Sequence, residues 1–270
     1  MEGDLVSIAS AIDLARYPVH DLDTLEARAL IARCREQLAA TGCCVLPGFL
    51  LPASVEIMAV QAAMLVPLAH RTPDSRSTAY LEPPNENFPA RHPKRRLQAT
   101  SVGAVAYDLI PKGSLIRRLY EWDAMLAFLE RALGKSRLYR YADPLGALNV
   151  AVMSEGDELL WHFDQTDFVV SLLLQGCVSG GAFEYAPNIR TPDEPHYDKV
   201  ERLLDGARDD VIEARMSPGT LALFEGRHSI HRVTRVEGDV PRLIALLGYD
   251  TKPGTLSSDR LKQRRYGRVA

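Results

Sequence analysis

The sequence LLWHFDQTDFVVSLLLQ, residues 159–175, contains the pattern that decides the fold. Its second half, from Asp167 to Gln175, is a nearly continuous apolar run, which predicts a buried β-strand. His162 and Asp164 stand just before this run, two positions apart. Because side chains alternate between the two faces of a strand, an imidazole and a carboxylate at this spacing point to the same side. The stretch therefore predicts two metal ligands beside a buried strand.

The His-x-Asp tripeptide is a weak signal by itself, so its context decides its meaning. With 7 His and 19 Asp in 270 residues, chance gives roughly half an occurrence per chain. A second copy, His196 to Asp198, follows Pro192 and Pro195 in an acidic, turn-like stretch. No apolar strand lies beside that copy, so we interpret it as a solvated loop. The metal-site hypothesis is therefore confined to His162 and Asp164.

A third ligand is expected from a later strand, and the segment GRHSIHRVTRV, residues 226–236, offers two histidines. His231 begins a strand-like alternation 69 positions after His162, whereas His228 lies nearer the turn and is expected beside the ligands or at the surface. A lone histidine is more often a hydrogen-bonded structural residue. Two histidines and an aspartate on neighbouring strands favour a metal instead. Three ligands on one side of the ion leave three positions open, as in mononuclear non-haem iron(II) oxygenases.

A buried arginine is predicted close to these ligands. Arg242 follows His231 by 11 positions, across a Glu-Gly-Asp turn, and begins the apolar strand RLIALLGY. An arginine within an apolar strand is costly unless it meets an anion, and its planar guanidinium suits a carboxylate. The anion is either an Asp or Glu of the protein or the far carboxylate of a dicarboxylic co-substrate bound to the metal.

The rest of the chain predicts an α+β protein with a mainly β core, a double-stranded β-helix (jelly roll, cupin-like) flanked by N-terminal helices. We expect one domain over residues 1–270: a helical part at 1–138, a jelly-roll core at 139–254 and a C-terminal tail at 255–270. Apolar periodicity predicts helices over Asp23–Ala40, Pro52–Leu68, Ser114–Leu133 and Asp198–Leu204, and strands over Cys43–Leu46, Leu148–Met153, Gly181–Tyr185, Thr220–Phe224, Ser229–Thr234 and Arg242–Tyr249.

Residues 71–102 interrupt the regular pattern. They contain five prolines and a basic cluster that includes Arg95 and Arg96. Such a long irregular segment in a compact domain is often a lid or binding loop and is otherwise disordered. A charge run is usually a solvated surface, so a functional role is the less common alternative.

Composition excludes several classes of protein. The formal net charge of −3 disfavours nucleic-acid binding, which usually needs a basic excess. No run of 18 apolar residues is present to span a membrane. Residues Met1 to Asp4 carry acidic charge where a signal peptide carries basic charge, and the four cysteines form no CxxC pair. We therefore expect a cytoplasmic protein with reduced thiols.

The strand-rich half, from about Tyr139 to Gly254, resembles the Fe(II)/2-oxoglutarate-dependent dioxygenases. The resemblance rests on WHFD, GGAFEY (180–185), PGTLALFEGRHSIHRV (218–233) and Arg242. It implies that His162, Asp164 and His231 hold Fe(II), that Arg242 binds the distal carboxylate of 2-oxoglutarate, and that O2 is consumed with release of succinate and CO2.

A narrower resemblance is to a bacterial branch that acts on free amino acids and contains both halogenases and hydroxylases. It rests on DPLGALNV (143–150), the stretch that includes WHFD, and the closing RRYGR (264–268). The halogenases of that branch have Gly or Ala at the carboxylate position, which leaves a coordination site for chloride. Because Asp164 occupies that position here, the resemblance implies hydroxylation of an unactivated C–H bond rather than halogenation.

The sequence also offers candidates for residues that contact the substrate. Gln165 follows the metal ligand, Asn149 lies on a preceding strand, and Arg96 or Arg95 on the long loop is placed to bind a substrate carboxylate. An acidic residue would suit a cationic substrate better than Gln165, which disfavours a lysine-like substrate. We expect a small polar substrate, namely a free amino acid or a derivative. A homodimer is left open.

The sequence leaves two other classes of function open. One is a cupin-type metalloprotein with non-oxidative chemistry, an isomerase or a hydrolase, which would usually lack the arginine after the distal histidine. The other is a jelly roll that binds a ligand without catalysis, against which the complete set of His162, Asp164 and His231 argues.

Overall fold

The computed structural model of the chain describes residues 7–72 and 75–270. Met1 to Asp4 and two residues of the long loop lie outside the described residues. Helices are concentrated before residue 135, as predicted. The α-helices of the described part are α1 (Leu25–Thr41), α2 (Pro52–Ala63), α3 (Leu115–Glu121), α4 (Asp123–Ala132), α5 (Tyr197–Leu204) and α6 (Asp259–Tyr266), with 3-10 turns at Ile8–Ala11, Val66–Leu68 and Tyr107–Leu109.

Strands make up most of the chain after residue 138. In chain order they are β1 (Cys43–Leu46), β2 (His70–Arg71), β3 (Arg76–Ser77), β4 (Gln98–Ala99), β5 (Gly103–Val105), β6 (Tyr139–Arg140), β7 (Leu148–Met153), β8 (Leu159–His162), β9 (Val169–Gln175), β10 (Ser179–Gly180), β11 (Phe183–Ala186), β12 (Ile212–Ala214), β13 (Leu221–Phe224), β14 (Ile230–Val233), β15 (Val236–Glu237), β16 (Arg242–Leu247) and β17 (Tyr249–Asp250).

Helix α1 forms where the sequence predicts a helix, between two well-defined caps. The Thr24 hydroxyl accepts a hydrogen bond from the backbone N–H of Ala27 at its start. At its end Gly42 has φ of +68°, and its N–H donates to the Leu38 carbonyl. The inward face, with Leu30 and Cys34, is buried in the main hydrophobic core.

Two predicted helices are shorter than expected. The helix predicted over Pro52–Leu68 ends at Ala63, and a 3-10 turn follows, because Pro67 has no N–H to continue the helix and its ring crowds the preceding turn. The helix predicted over Ser114–Leu133 is divided into α3 and α4. Trp122 has an extended backbone (φ −75°, ψ 124°) between them, so the prediction of one continuous helix was wrong.

The larger sheet has seven antiparallel strands in the order β1-β13-β9-β16-β7-β5-β2. The two faces of β7 have different surroundings. Leu148, Val150 and Val152 pack into the core that the N-terminal helices share. Ala151 and Met153 pack instead with residues of the second sheet or of the sheet's inner face. The inner face therefore looks into the space between the two sheets.

The smaller sheet has the order β12-β11-β14-β8 and faces the larger one, which gives the predicted double-stranded β-helix. Its outer face is covered by α5, where Trp161 and Phe163 are buried with Val200 and Leu203. Trp161 is therefore a core residue on the side of β8 opposite to its last histidine. The assignment of residues 1–270 to one domain stays a prediction.

The long loop packs against α5. Its short strands β3 and β4 pair with each other. The Phe88 ring stacks on His92 at 3.9 Å between centroids, and His92 meets the edge of Tyr197 at 4.5 Å. Arg96 forms an ion pair of 2.7 Å with Asp205, the residue after α5. These contacts fasten the described part of the loop to the outer side of the smaller sheet.

The predicted C-terminal tail contains helix α6. The Ser258 side chain caps its N-terminus by accepting a hydrogen bond from the N–H of Leu261. Tyr266, near its end, is buried against Ala104 and Leu145. The tail is therefore packed on the inner-face side of β5. No helix among residues 7–72 and 75–270 is long and apolar enough to cross a membrane.

Candidate metal centre

Strands β8 and β14 bring the two predicted histidines side by side. In their antiparallel register His162 is directly opposite His231, and the two rings are 4.1 Å apart between centroids. Asp164 follows β8, with Oδ1 3.9 Å from His162 Nε2 and Oδ2 3.5 Å from His231 Nε2. One ligand atom from each of the three residues lies within 4.8 Å of the others.

Hydrogen bonds orient both imidazoles for metal binding. His162 Nδ1 donates to the Leu160 carbonyl at 2.8 Å, and His231 Nδ1 donates to the Ser229 carbonyl at 3.1 Å. A carbonyl can only accept, so each Nδ1 carries the proton and each Nε2 presents a lone pair to the cluster. The backbone of the residue two positions earlier thus selects the tautomer in both cases.

The electrostatics of the cluster also suit a cation. Burial lowers the pKa of His162 to about 4, with further lowering by His231 and Arg265, so this imidazole is neutral at neutral pH. Asp164 Oδ2 is buried and has no hydrogen-bond partner. A buried carboxylate oxygen without a partner is costly, and a bound metal ion would satisfy it.

Gly226 makes room for this carboxylate. A Cβ atom at position 226 would overlap the Asp164 side chain. The Gly226 carbonyl also accepts the backbone N–H of Asp164, so the two residues are held in contact. Two imidazole nitrogens and one carboxylate, with space beside them, fit the 2-His-1-carboxylate donor set of non-haem Fe(II).

Arg242 lies at the start of β16, opposite Met153 of β7. Its side chain is 4% exposed, and burial lowers its pKa to about 10, so it remains charged at neutral pH. No carboxylate of residues 7–72 or 75–270 forms an ion pair with it. A Cβ atom at Gly181 would crowd both Arg242 and Cys177, so a glycine is needed here for the arginine to lie in this pocket.

Gln165, the residue after Asp164, lines a cleft whose lining does not include the three candidate metal ligands. The cleft has a volume of about 210 Å³, and its lining also includes Tyr141, Arg227 and Lys252. Burial, together with the charges of Asp250, Asp143 and Asp164, raises the pKa of Tyr141 to about 12. Arg227 does not offer a free charge to the cleft, because it pairs with Asp167 at 2.5 Å and donates to the Gln165 carbonyl.

The other two predicted substrate residues have different surroundings. Asn149 is 5% exposed, and its Oδ1 accepts a hydrogen bond of 3.1 Å from Arg265 Nη2. Arg96 forms an ion pair with Asp205 and donates to the Leu204 carbonyl, and its contact with a substrate stays a prediction. Its ion-pair partner comes from α5, a distant segment that loop composition does not reveal.

Two residues near the site were missed by reasoning from the sequence. Arg265 belongs to the RRYGR segment, which carried a resemblance but no assigned role, and Tyr141 precedes the DPLG turn. His228, expected beside the ligands or at the surface, has a buried Nδ1 without a hydrogen-bond partner. Burial and the charges of Arg190 and Arg227 lower its pKa.

The family model described as Halogenase D matches residues 26–257 of the chain. This range includes both sheets, the metal cluster and Arg242, and it stops two residues before α6 begins. No curated protein sequence matches the chain.

Several solved structures share the fold at low sequence identity. The α-ketoglutarate-dependent epimerase SnoN from nogalamycin biosynthesis has a TM-score of 0.57 and 15% identity, with 82% of this chain and 81% of that chain covered. A 2OG-Fe(II) oxygenase family protein from Burkholderia pseudomallei has a TM-score of 0.53 and 15% identity, over 87% and 94%. AviO1 from Streptomyces viridochromogenes has a TM-score of 0.56 and 16% identity, over 84% and 97%.

Proposed function

The chain belongs to the Halogenase D family within the Fe(II)/2-oxoglutarate oxygenase superfamily, and from this premise we propose that it hydroxylates an unactivated C–H bond of a small polar substrate. Fe(II), 2-oxoglutarate and O2 are the cofactor and co-substrates of this reaction, and succinate and CO2 are released. The observation that carries the proposal is the carboxylate of Asp164 within reach of both histidines. It is accompanied by a buried arginine, Arg242, that has no ion-pair partner among the described residues.

In this proposal each residue has a separate task. His162 and His231, held as Nε2 donors by their backbone hydrogen bonds, and Asp164 bind the iron. Arg242 would pair with the distal carboxylate of 2-oxoglutarate, and this ion pair would offset the cost of burying its charge. The bound iron and 2-oxoglutarate supply the oxidation of the C–H bond by O2. The surrounding apolar side chains keep bulk water from the site.

The preference for hydroxylation rests on Asp164. With a carboxylate at this position, the protein occupies the coordination site that halogenases of the resembling branch leave for chloride. Halogenation is the second candidate, because the matching family model is described as a halogenase. SnoN, with the same fold, is described as an epimerase, so the fold alone does not decide the chemistry.

The proposed substrate is a free amino acid or a derivative. A cleft of about 210 Å³ lined by Gln165, the residue after Asp164, suits a molecule of that size, and its lining mixes charged and hydroxyl-bearing side chains. Gln165 favours a substrate without a cationic side chain, since Asp167 in the same lining is paired with Arg227 and Asp250 accepts a hydrogen bond from Thr255. Location in the cytoplasm and assembly as a homodimer also stay predictions.

One experiment tests the proposal. The protein is loaded with Fe(II) and 2-oxoglutarate without oxygen, and the visible charge-transfer band is recorded. Oxygen is then admitted with each of the common amino acids, in the presence and absence of chloride. We expect the band, succinate formation and a product that has gained one oxygen atom. A chlorinated product would show that the protein is a halogenase, the second candidate, and not a hydroxylase. Absence of both the band and succinate would reject the oxygenase function.

Asp164→Gly is the matched variant. It should abolish hydroxylation, because the iron loses its only carboxylate ligand from the cluster. Formation of chlorinated product by this variant, with a folded protein by circular dichroism, would support the argument that Asp164 selects the reaction. Full hydroxylation by the variant would contradict the assignment of Asp164 as a ligand.

A further inference from the structure

Helix α6 brings a cationic side chain to the inner face of the larger sheet. Arg265 Nη2 donates to Asn149 Oδ1 at 3.1 Å. Asn149 lies on β7 in phase with Ala151 and Met153, which face the space between the sheets. The amide therefore holds the Arg265 guanidinium at the edge of the space that contains the metal cluster.

The charge of Arg265 is not neutralised by the protein. In the part of the chain that the structure describes, neither Arg265 nor its neighbours Arg260 and Arg264 form an ion pair. Burial and the charges of Arg260 and Arg265 lower the pKa of Arg264, so the three cations repel one another. In contrast, Arg268 just beyond the helix pairs with Asp108 at 2.7 Å.

A helix-terminal role explains only part of this arrangement. Basic side chains in the last turn of a helix interact favourably with its dipole. That interaction would be satisfied equally by an arginine directed into solvent. It does not account for a half-buried guanidinium that is oriented by a buried amide and that acts electrostatically on His162.

Arg265 and Arg242 serve different ends of the site. Asn149 pairs with Leu246 and Met153 pairs with Arg242 in the register of β7 and β16. The two rows are four residues apart, which is roughly 13 Å along a strand. With Arg242 binding the distal carboxylate of 2-oxoglutarate, Arg265 lies towards the opposite end of the same inner face and is available to a second anion.

We propose that Arg265, held in place by Asn149, binds a carboxylate of the substrate that is oxidised. The inference rests on the proposed oxygenase function and assigns a residue of α6 to recognition of the free carboxylate of the proposed substrate. Arg265 is then a specificity-determining residue, and Asn149 is a positioning residue that acts through it. Esters and amides of an accepted acid should be poor substrates, because they cannot form the ion pair.

The test uses amino acids as free acids and as methyl esters. Their binding to protein loaded with Fe(II) and 2-oxoglutarate is measured without oxygen by thermal shift and calorimetry, and succinate formation is measured with oxygen. In the wild type we expect binding of at least one free acid and weaker binding of its ester. In Arg265→Gln the free acid should bind roughly 10- to 100-fold more weakly, as expected for the loss of a charged hydrogen bond, and should no longer be preferred over its ester.

Three further variants separate a role in recognition from a role in folding. Arg260→Gln removes an exposed cation from the same helix and should leave acid binding unchanged. Arg265→Lys keeps the charge and should retain an intermediate preference for the acid. Asn149→Asp should pair with Arg265 and weaken binding of the acid to the same extent as Arg265→Gln, without loss of thermal stability.

The outcomes are distinct. Unchanged acid binding in Arg265→Gln would overturn the proposal. Loss of the 2-oxoglutarate charge-transfer band in Arg265→Gln would also overturn it and would assign Arg265 to the co-substrate. Absence of the band in the wild type would instead reject the oxygenase function, which is a separate result.

Discussion

Asp164 is the residue whose surroundings are least satisfied by the protein alone. One of its carboxylate oxygens is buried without a hydrogen bond, and only a glycine at position 226 leaves space for the side chain. Arg242 lacks a partner of the opposite charge, since it is a buried cation that pairs with no carboxylate among the described residues. A buried carboxylate oxygen without a hydrogen bond and a buried cation without an ion pair indicate that ligands complete the site, a cation at one end and an anion at the other.

Gly226→Ala should weaken metal binding without unfolding the protein. The added Cβ would overlap the Asp164 carboxylate and displace it from the two imidazoles. We expect roughly 10- to 100-fold lower affinity for Co(II), a stand-in for Fe(II) in calorimetric titrations. Gly113→Ala is the matched control, because no heavy atom lies within 4 Å of its new Cβ. Equal metal affinity in the two variants would contradict the role of Gly226.

Arg242→Met should stabilise the protein and abolish co-substrate binding. Burial lowers the pKa of Arg242 from 12.5 to about 10, so the charge costs the metal-free protein on the order of 3 kcal/mol. A methionine of similar length removes this cost and also the partner of the 2-oxoglutarate carboxylate. Urea denaturation should show the higher stability, and the charge-transfer band should be absent. A variant that is less stable, or that still binds 2-oxoglutarate, would disagree with this assignment.

At the scale of elements, the site is assembled from strands that are far apart in the chain. Strand β8 supplies His162 and β14 supplies His231, while β16 and α6 supply the two arginines. The sheets hold the metal ligands rigidly through their hydrogen-bonded register. Helix α6 is only eight residues long and is held by its N-cap, by the buried Lys262 and Tyr266, and by the hydrogen bond from Arg265 to Asn149, so it is the element whose loosening should affect the site selectively.

Ser258→Ala should loosen α6 by removing its N-cap. Such a loss costs about 1 kcal/mol, equivalent to roughly five-fold faster local opening. Hydrogen exchange of the amides of residues 261–266 should accelerate by about that factor, and binding of the acid substrate should weaken. Thr24→Ala is the control, since it removes the same kind of cap from α1. Identical effects of the two variants on substrate binding would show that α6 has no special role.

At the scale of the whole molecule, the main core and the site lie on opposite faces of one sheet. The N-terminal helices pack on the outer face of the seven-stranded sheet. Between its inner face and the smaller sheet lie the buried polar groups Asn149 and Arg242 of the larger sheet and His162 and His231 of the smaller one. The outer face of the large sheet therefore contributes most of the apolar burial that stabilises the fold. The inner face contains the buried polar and charged groups of the candidate site.

The metal-free protein should lose stability as the pH falls from about 6.5 towards 4. Burial lowers the pKa of His162 from 6.5 to about 4, so the unfolded chain binds this proton at a higher pH than the folded chain. The unfolding free energy should therefore fall between pH 7 and pH 5, by about 2 kcal/mol from this residue alone. Urea denaturation at the two pH values measures the difference.

The variants for this prediction are His162→Gln and His20→Gln. His162→Gln should reduce the pH dependence of the unfolding free energy, because it removes the contribution of the buried imidazole. The second changes an exposed histidine and should leave the pH dependence unchanged. If the unfolding free energy of His162→Gln fell as steeply between pH 7 and pH 5 as that of the wild type, groups other than His162 would cause the acid sensitivity.

Local patterns were sufficient to predict that His162, Asp164 and His231 lie together in one cluster. The spacing of His162 and Asp164, the apolar run after them and the strand-like segment around His231 are short-range features, and the fold class followed from the same strands. Helix ends were predicted less well. Pro67 ended one helix earlier than its apolar pattern suggested, and Trp122 interrupted another, since neither break alters the apolar periodicity.

Contacts between distant segments were decided only by the tertiary structure. Arg96 was predicted to bind the substrate, yet its partner is Asp205, 109 positions away. Asn149 was predicted as a site residue, and its link to Arg265, 116 positions later, was not predicted. By itself the sequence determined which side chains form the candidate metal cluster, because strand alternation is a local property of the backbone. The folded chain decided which charges pair and which remain free, because that depends on distances that no local pattern contains.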